Sequence, residues 1–151
     1  MKIRTMRFGT VDVPSESLTA LPQGLIGFPT ITRLAMMDLE QGGWFQWWQA
    51  VEDPAMAFVT VDPFRIMDYD LSGVESEIQA LEISKPSGMI VSVLMTLHGG
   101  GLDHTTVNLL APIIVNRASR IGRQVVLPDE RYRVDQPLGA MAAKRAVEIA
   151  A

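Results

Sequence analysis

Alternation of polar and apolar residues is the feature that most constrains the fold of this chain. Lys2–Arg7 alternates in this way, and Thr10–Val13 does so again after Gly9. A period of two residues places the apolar side chains on one face of a strand, so these two segments predict a hairpin with one buried face. Further strands are predicted at Leu34–Leu39, Trp44–Val51, Ala57–Val61, Met89–Leu97, Val107–Asn116 and Gln124–Leu127, because their β-branched and aromatic content suits pleated surfaces.

Turn-forming residues separate the predicted strands. Asp53-Pro54 and Asp62-Pro63 are typical turn openers, in which the Asp side chain bonds nearby backbone and Pro fixes φ. Many short strands with such spacing are typical of an all-β sandwich or barrel. We therefore predict a mainly β fold: a compact, antiparallel, β-barrel-like single domain over residues 1–138.

Two segments have helical patterns. Ser72–Leu81 has a Ser at its start, acids in its first turn and apolar residues three to four positions apart, so one short amphipathic helix is predicted there. Gly139–Ala151 is rich in alanine and predicts a helical C-terminal tail. The fold thus has one or two short helices besides this tail.

Composition excludes several classes of protein. The 151 residues include no cysteine, which removes thiol catalysis and a disulfide framework. The net charge of −4 argues against a dedicated nucleic-acid binder, whose domain is usually basic. The longest mostly apolar run, Met89–Leu97, is about half of what a membrane-spanning helix needs, and the N-terminus lacks the apolar run of a signal peptide. We expect a cytoplasmic protein that binds neither membranes nor nucleic acid directly.

One string suggests catalysis. His98-Gly99-Gly100-Gly101 matches the oxyanion loop of lipases and esterases, but the Gly-x-Ser-x-Gly nucleophile elbow is missing, which favours a hairpin loop. His98, His104 and Asp103 lack the spacing and the rigid frame of a zinc site. We predict no catalytic residue, no metal and no cofactor. A small hydrolase that uses this loop and a barrel that holds a small ligand stay as alternatives.

Four large aromatic residues lie within five positions. On a strand, Trp44 and Trp48 face one side while Phe45 and Trp47 face the other. One face is expected to fill the core, and an exposed Trp on the other would be a candidate interface anchor.

Charge is unevenly distributed along the chain. Leu34–Ser84 contains ten acids and one base, a net charge of −9, and the remainder has a net charge of +5. Half of these ten acids lie between Asp68 and Glu82. Such a stretch is either a solvated face that keeps the protein soluble or a negative surface that docks a basic partner. The arginines at 117, 120, 123, 131 and 133 support a nucleic-acid site only weakly, because Tyr132 alone is interleaved with them.

Six strings in order carry a family resemblance. They are Arg7-Phe8-Gly9, Pro22-Gln23-Gly24-Leu25-Ile26-Gly27-Phe28-Pro29, Val51-Glu52-Asp53-Pro54-Ala55-Met56-Ala57-Phe58-Val59, Asp62-Pro63-Phe64, Asn108-Leu109-Leu110-Ala111-Pro112-Ile113-Ile114-Val115-Asn116 and Gly122-Arg123-Gln124-Val125-Val126-Leu127. Together they resemble the flagellar assembly factor FliW family from about residue 3 to Leu138. The tail after Leu138 matches nothing in that pattern.

The resemblance implies a non-enzymatic partner switch. FliW-like proteins bind cytoplasmic flagellin and also bind CsrA, an RNA-binding repressor of flagellin translation, whose inhibition the resemblance suggests is allosteric. Because CsrA needs a basic surface for RNA, we expect acids of the middle segment to dock it, namely Asp62, Asp68, Asp70, Glu75 and Glu77. For flagellin, an apolar groove rimmed by Trp44, Trp47 and Trp48 is expected.

Overall fold

Most of the predicted strand segments form strands. The computed structural model describes residues 1–38, 45–96 and 104–139. The strands are β1 (Lys2–Thr5), β2 (Gly9–Asp12), β3 (Leu18–Ala20), β4 (Arg33–Asp38), β5 (Phe45–Ala50), β6 (Ala57–Val61), β7 (Met89–Thr96), β8 (Thr106–Val107), β9 (Ile113–Asn116), β10 (Gly122–Gln124) and β11 (Gln136–Pro137). The helices are α1 (Pro63–Ile66) and α2 (Glu75–Ala80), with 3-10 turns at Ser15–Ser17 and Pro86–Gly88.

The N-terminal hairpin forms as predicted. Strands β1 and β2 pair antiparallel, with Lys2 opposite Asp12 and Thr5 opposite Gly9. Ile3 and Val13 are buried and pack on Ala35 of β4. The hairpin therefore covers the outer face of the main sheet.

A larger antiparallel sheet forms the body of the protein. Its strand order is β10-β9-β7-β6-β5-β4-β3, and β8, which itself pairs with β11, adds to β7. Strand β7 is long enough to pair with β9 through Met89–Ser92 and with β8 through Met95 and Thr96. This confirms the mainly β, antiparallel prediction.

The two faces of the sheet bury different residues. Leu34, Met36, Trp48 and Ala50 of β4 and β5 share one core cluster with Ile113 and Val115 of β9. The opposite face of the sheet carries Val61 of β6, Val91 and Val93 of β7 and Ile114 of β9, which pack with Ile66 of α1. Since β4 and β9 lie far apart along the sheet yet share a core, the sheet curls around a barrel-like interior.

A single bridge joins the two edges of this sheet. Ala20 of β3 pairs in parallel with Ile121, which directly precedes β10, and the Ala20 N–H donates to the Arg120 carbonyl at 2.9 Å. No continuous ladder connects β3 to β10 in the described residues. The structure is therefore barrel-like without being a fully closed barrel.

One strand prediction is wrong in its extent. Val107–Asn116 divides into β8 and β9, because residues 108–112 form a turn. Asn108 Oδ1 accepts a hydrogen bond from the Ala111 N–H at 3.1 Å, and Pro112 has no N–H to give to a ladder. The second strand with wrong bounds is Gln124–Leu127, because β10 runs over Gly122–Gln124, although the Val125 and Leu127 N–H groups still donate to the Pro112 and Leu110 carbonyls.

The predicted helix begins later than expected. Helix α2 begins at Glu75 rather than Ser72, because the Ser72 hydroxyl donates to Asp70 at 2.7 Å and does not cap the helix. The one-turn helix α1 is capped by Asp62, which accepts from the Phe64 N–H at 2.9 Å, so Asp62-Pro63 opens a helical turn. Across the described segments, none of the helices is long and apolar enough to cross a membrane. The predicted C-terminal tail lies outside the described residues beyond position 139.

Candidate partner-binding surfaces

The loop between α1 and α2 presents two exposed carboxylates held by backbone. Asp70 accepts from the Ser72 N–H at 2.9 Å and from its hydroxyl at 2.7 Å. Glu75 accepts from the N–H of Gly73, whose φ of +103° suits glycine, at 2.8 Å. These hydrogen bonds lower the pKa of Asp70 and of Glu75 below their ordinary values. Both side chains therefore present a fixed negative charge at neutral pH.

Arg131 holds this acidic loop from the C-terminal part of the chain. Its guanidinium lies 3.1 Å from the Asp70 carboxylate and 3.1 Å from that of Asp129, and it donates to the Ser72 hydroxyl at 3.0 Å. Next to it, the Tyr132 hydroxyl accepts from the Asp70 N–H at 2.8 Å. One cation thus orders the loop and also offsets part of its charge.

Tyrosines anchor the same loop to the core. The rings of Tyr69 and Tyr132 stack with their centroids 4.7 Å apart. Tyr69 donates its hydroxyl proton to the Leu109 carbonyl, and burial raises the pKa of this phenol. The loop is therefore a rigid support for its carboxylates.

The other predicted acids have different surroundings. Asp68 is exposed. Glu77 is half-buried on α2, accepts from the Ser76 hydroxyl at 3.0 Å and lines a cavity of about 550 Å³ together with Arg123. Asp62 lines a separate cavity with Arg65, and burial raises the pKa of its carboxyl. The structure therefore brings Asp70 and Glu75 together around Arg131, while Asp62 and Glu77 line two different cavities.

The tryptophans divide between core and surface. Trp48 is completely buried in the barrel interior, where its Nε1–H donates to Gln46 Oε1 at 3.3 Å. Trp47 is half-buried on the opposite face and donates to Gln49 Oε1 at 3.0 Å. Trp44 lies outside the described residues. Of the two described tryptophans, only Trp47 offers surface to a partner.

Trp47 packs against the tip of the N-terminal hairpin, a contact that the sequence did not indicate. The tip of the N-terminal hairpin places the Phe8 ring edge-on to Trp47, with centroids 5.2 Å apart. The Arg7 guanidinium lies 5.4 Å from the Trp47 ring, within the range of a cation–π contact. Met6 is 76% exposed beside them in sequence, and its N–H donates to the Pro54 carbonyl at 3.0 Å. A hairpin tip and a central strand thus combine into one surface.

The catalytic alternative falls mostly outside the described residues. The His98-Gly99-Gly100-Gly101 string and Asp103 are not described, and His104 is exposed. Within residues 1–38, 45–96 and 104–139, no three His, Asp or Glu side chains lie close enough to hold a metal ion.

Charge that is separated in sequence is partly paired in space. Arg131, Arg117 and Arg123 come from the basic part of the chain, yet each lies beside residues of the acidic middle. These contacts join segments that are far apart in the sequence. Sequence periodicity does not reveal these contacts, because they depend on how distant segments pack.

Comparison with known proteins identifies the family. The FliW protein family model matches residues 2–138. The flagellar assembly factor FliW of Treponema pallidum is 35% identical over 150 residues, covering 98% of this chain and 99% of that protein. The FliW of Natranaerobius thermophilus is 32% identical over 139 residues, covering 91% and 92%.

A solved structure agrees. A crystal structure of the flagellar assembly factor FliW superimposes with a TM-score of 0.79 at 29% identity, covering 91% of this chain and 96% of that one. The resemblance carried by the six sequence strings is confirmed, and this chain belongs to the FliW family.

Proposed function

We propose that this protein is a non-enzymatic flagellar assembly factor that acts in the cytoplasm by binding two partners, CsrA and flagellin. The relatives are named as flagellar assembly factors. In this proposal, binding CsrA relieves its repression of flagellin translation. Flagellin competes for the same protein, so each partner sets how much is free for the other.

The observation that carries the CsrA part is the rigid acidic loop around Asp70 and Glu75. A basic, RNA-binding partner is attracted by a surface of fixed negative charge, which raises the association rate and the specificity. Asp68 and Glu77 extend this surface along the loop and α2, and Asp62 lies at the start of α1. These acids are the proposed contacts.

The flagellin part rests on the apolar contact of Phe8 and Trp47, with the exposed Met6 two residues before Phe8 at the same hairpin tip. An exposed aromatic side chain surrounded by apolar neighbours is a usual anchor for an apolar segment of a partner. Trp48 is completely buried on the opposite face of β5 and offers no surface to a partner. Trp44, three residues before Trp47 in the sequence, remains a proposed contact.

Calorimetric titration with purified CsrA tests the first part. We expect the Glu75→Lys, Glu77→Lys double variant to bind about tenfold more weakly and with less dependence on salt, because two attractive charges become repulsive. The matched control is Asp12→Lys with Glu16→Lys, which raises the net charge by the same amount at other exposed positions. Equal weakening by both double variants would mean that only total charge matters, and unchanged affinity in the first would place the contact elsewhere.

Flagellin binding is tested separately. Met6→Asp puts a charge on the hairpin tip that carries Phe8 without disturbing the core, because the side chain is exposed. We expect this variant to lose flagellin binding while CsrA binding is kept. Val134→Asp, at a residue 56% exposed, is the control. If Met6→Asp binds flagellin normally, this hairpin tip is not the flagellin site.

A further inference from the structure

A polar cavity of about 450 Å³ occupies one end of the barrel interior. Strands β4, β5, β6 and β7 contribute Met36, Gln46, Thr60 and Ser92, and the turn between β9 and β10 contributes Arg120. The four strand residues lie on the same inward face as Leu34, Trp48 and Phe58, at alternate positions along their strands. The cavity is therefore the polar continuation of the barrel core.

Two buried polar atoms of this cavity have no hydrogen-bond partner within the described part of the chain. Thr60 is 1% exposed, and its Oγ1 is one of them. The Nε of Arg120 is the other. Buried polar atoms are nearly always paired, so two in one cavity indicate that something outside the chain satisfies them. A hydroxyl can donate or accept, but Arg Nε–H can only donate, so the missing group must include an acceptor.

The surroundings of Arg120 point to an anionic acceptor. One terminal nitrogen donates to the Met36 sulfur at 2.8 Å, which is a weak acceptor for a guanidinium. Arg117 lies near enough that it and burial together lower the pKa of Arg120. Arg117 itself donates to the Ser87 and Met89 carbonyls. Among the described residues, neither arginine has a carboxylate within 4.0 Å.

Carboxylates that line the cavity limit how much negative charge a ligand can carry. Glu16, Asp38 and Asp62 line the cavity as well. Asp38 accepts from the Gln46 side chain at 3.0 Å, and Asp62 accepts from the Phe64 N–H. These carboxylates repel a dianion more strongly than a single carboxylate, and they attract a ligand that also bears an ammonium group.

We propose that this cavity binds a small carboxylate ligand, with the carboxylate accepting from Arg120 Nε and Thr60 Oγ1. The volume suits a small organic acid or an amino acid. Of the proposed CsrA contacts, only Asp62 lines this cavity. The proposed carboxylate site is therefore separate from the loop that carries Asp70 and Glu75.

Titration followed by NMR tests the proposal on the full chain. The probes are acetate and L-glutamine, which distinguish a plain acid from an amino acid, with acetamide as the uncharged control and inorganic phosphate as the dianion. We expect saturable shifts of the Arg120 Nε–H and Thr60 signals with acetate or glutamine, and none with acetamide.

Three variants separate binding from folding. Thr60→Val keeps the shape of the side chain. Arg120→Gln places another non-glycine residue at the same left-handed backbone position, where φ is +61°. Each variant is expected to weaken binding about tenfold. Arg123→Gln, at an exposed arginine outside this cavity, is expected to bind normally. The proposal is overturned if neither carboxylate gives saturable shifts in the unmodified protein, if phosphate binds in their place, or if Arg123→Gln weakens binding as much as Arg120→Gln.

Discussion

The guanidinium of Arg131 lies 3.1 Å from the carboxylate of Asp70, 61 residues earlier in the chain. Through this contact a residue of the basic C-terminal part restrains the loop that carries most of the candidate acidic surface. Replacing Arg131 therefore affects both the order of that loop and the net charge of the acidic surface.

We expect Arg131→Gln to increase the salt dependence of CsrA binding, since it removes the cation that offsets Asp70. It should also lower the urea midpoint slightly, because the Ser72 and Asp129 contacts are lost as well. Arg133→Gln is the control, since that arginine pairs only with exposed Asp135 among the described side chains. A midpoint equal in both variants would show that Arg131 does not order the loop.

Asp70 should contribute to acid sensitivity. Its native pKa lies below the ordinary value of 3.8, so the folded state favours the ionised form. The resulting stability is present above the unfolded pKa and is lost as pH falls through the native pKa. We expect Asp70→Asn to be less stable than the unmodified protein at pH 7 and the difference to disappear once the pH has fallen through the native pKa of Asp70. Urea unfolding at a series of pH values measures this, and a difference that does not change with pH would contradict it.

Asp62 should behave in the opposite sense. Burial raises its pKa above 3.8, so the folded state disfavours its charge. Asn caps a helix as well as Asp does, and Asp62→Asn keeps an acceptor for the Phe64 N–H. We expect this variant to be at least as stable as the unmodified protein at pH 7, with its advantage shrinking as pH falls through the native pKa. A variant that is less stable than the unmodified protein at pH 7, with the difference disappearing in acid, would show that the Phe64 hydrogen bond, Arg65 and Arg117 outweigh the burial.

Gly24 is required by a close approach of backbone to backbone. A Cβ at this position would lie 2.4 Å from the Pro29 carbonyl oxygen, and φ is +71°. We expect Gly24→Ala to lower the free energy of unfolding by about 3 kcal/mol, from left-handed strain plus the clash. Gly9→Ala is the matched control, with a φ of +68° and no described atom within 4 Å of the added carbon, and should cost only about 1 kcal/mol. Equal losses would mean that the Pro29 contact relaxes.

Replacing Trp48 and replacing Trp47 should lower the free energy of unfolding by different amounts. Trp48 is fully buried, so Trp48→Ala should lower the free energy of unfolding by about 4 kcal/mol. Trp47→Ala should cost much less, because this side chain is half-buried, but should reduce flagellin binding. If Trp47→Ala leaves flagellin binding intact, the aromatic anchor is elsewhere.

Local pattern predicted most of the strands, but not β3 or β11 and not the surroundings of any strand. The β-branched and aromatic content of Ala57–Val61 predicts β6 with its observed bounds, and residues of this strand contribute to two different core clusters. The helix start was missed because Ser72 bonds backward to Asp70, a competition that a capping pattern does not show. The long strand ending at Asn116 was overestimated because the apolar run continues through a buried turn.

The candidate surfaces were predictable only in part. A count of charges along the chain found the acidic middle, since ten acids with one base need no structure to be seen. That count could not show that Arg131 would lie on Asp70 or that Phe8 would meet Trp47, because both pairs depend on tertiary packing. The same holds for the cavity lined by Thr60 and Arg120.

The bridge between Ala20 and Ile121 also affects how the protein is made. These residues are about one hundred positions apart, so the two sheet edges meet only after most of the chain has left the ribosome. Until then, Trp48 and its neighbours lack the β9 side of their core. Barrel assembly is therefore a late step of biosynthesis, and a nascent chain stalled before β9 exposes the apolar interior to chaperones and proteases.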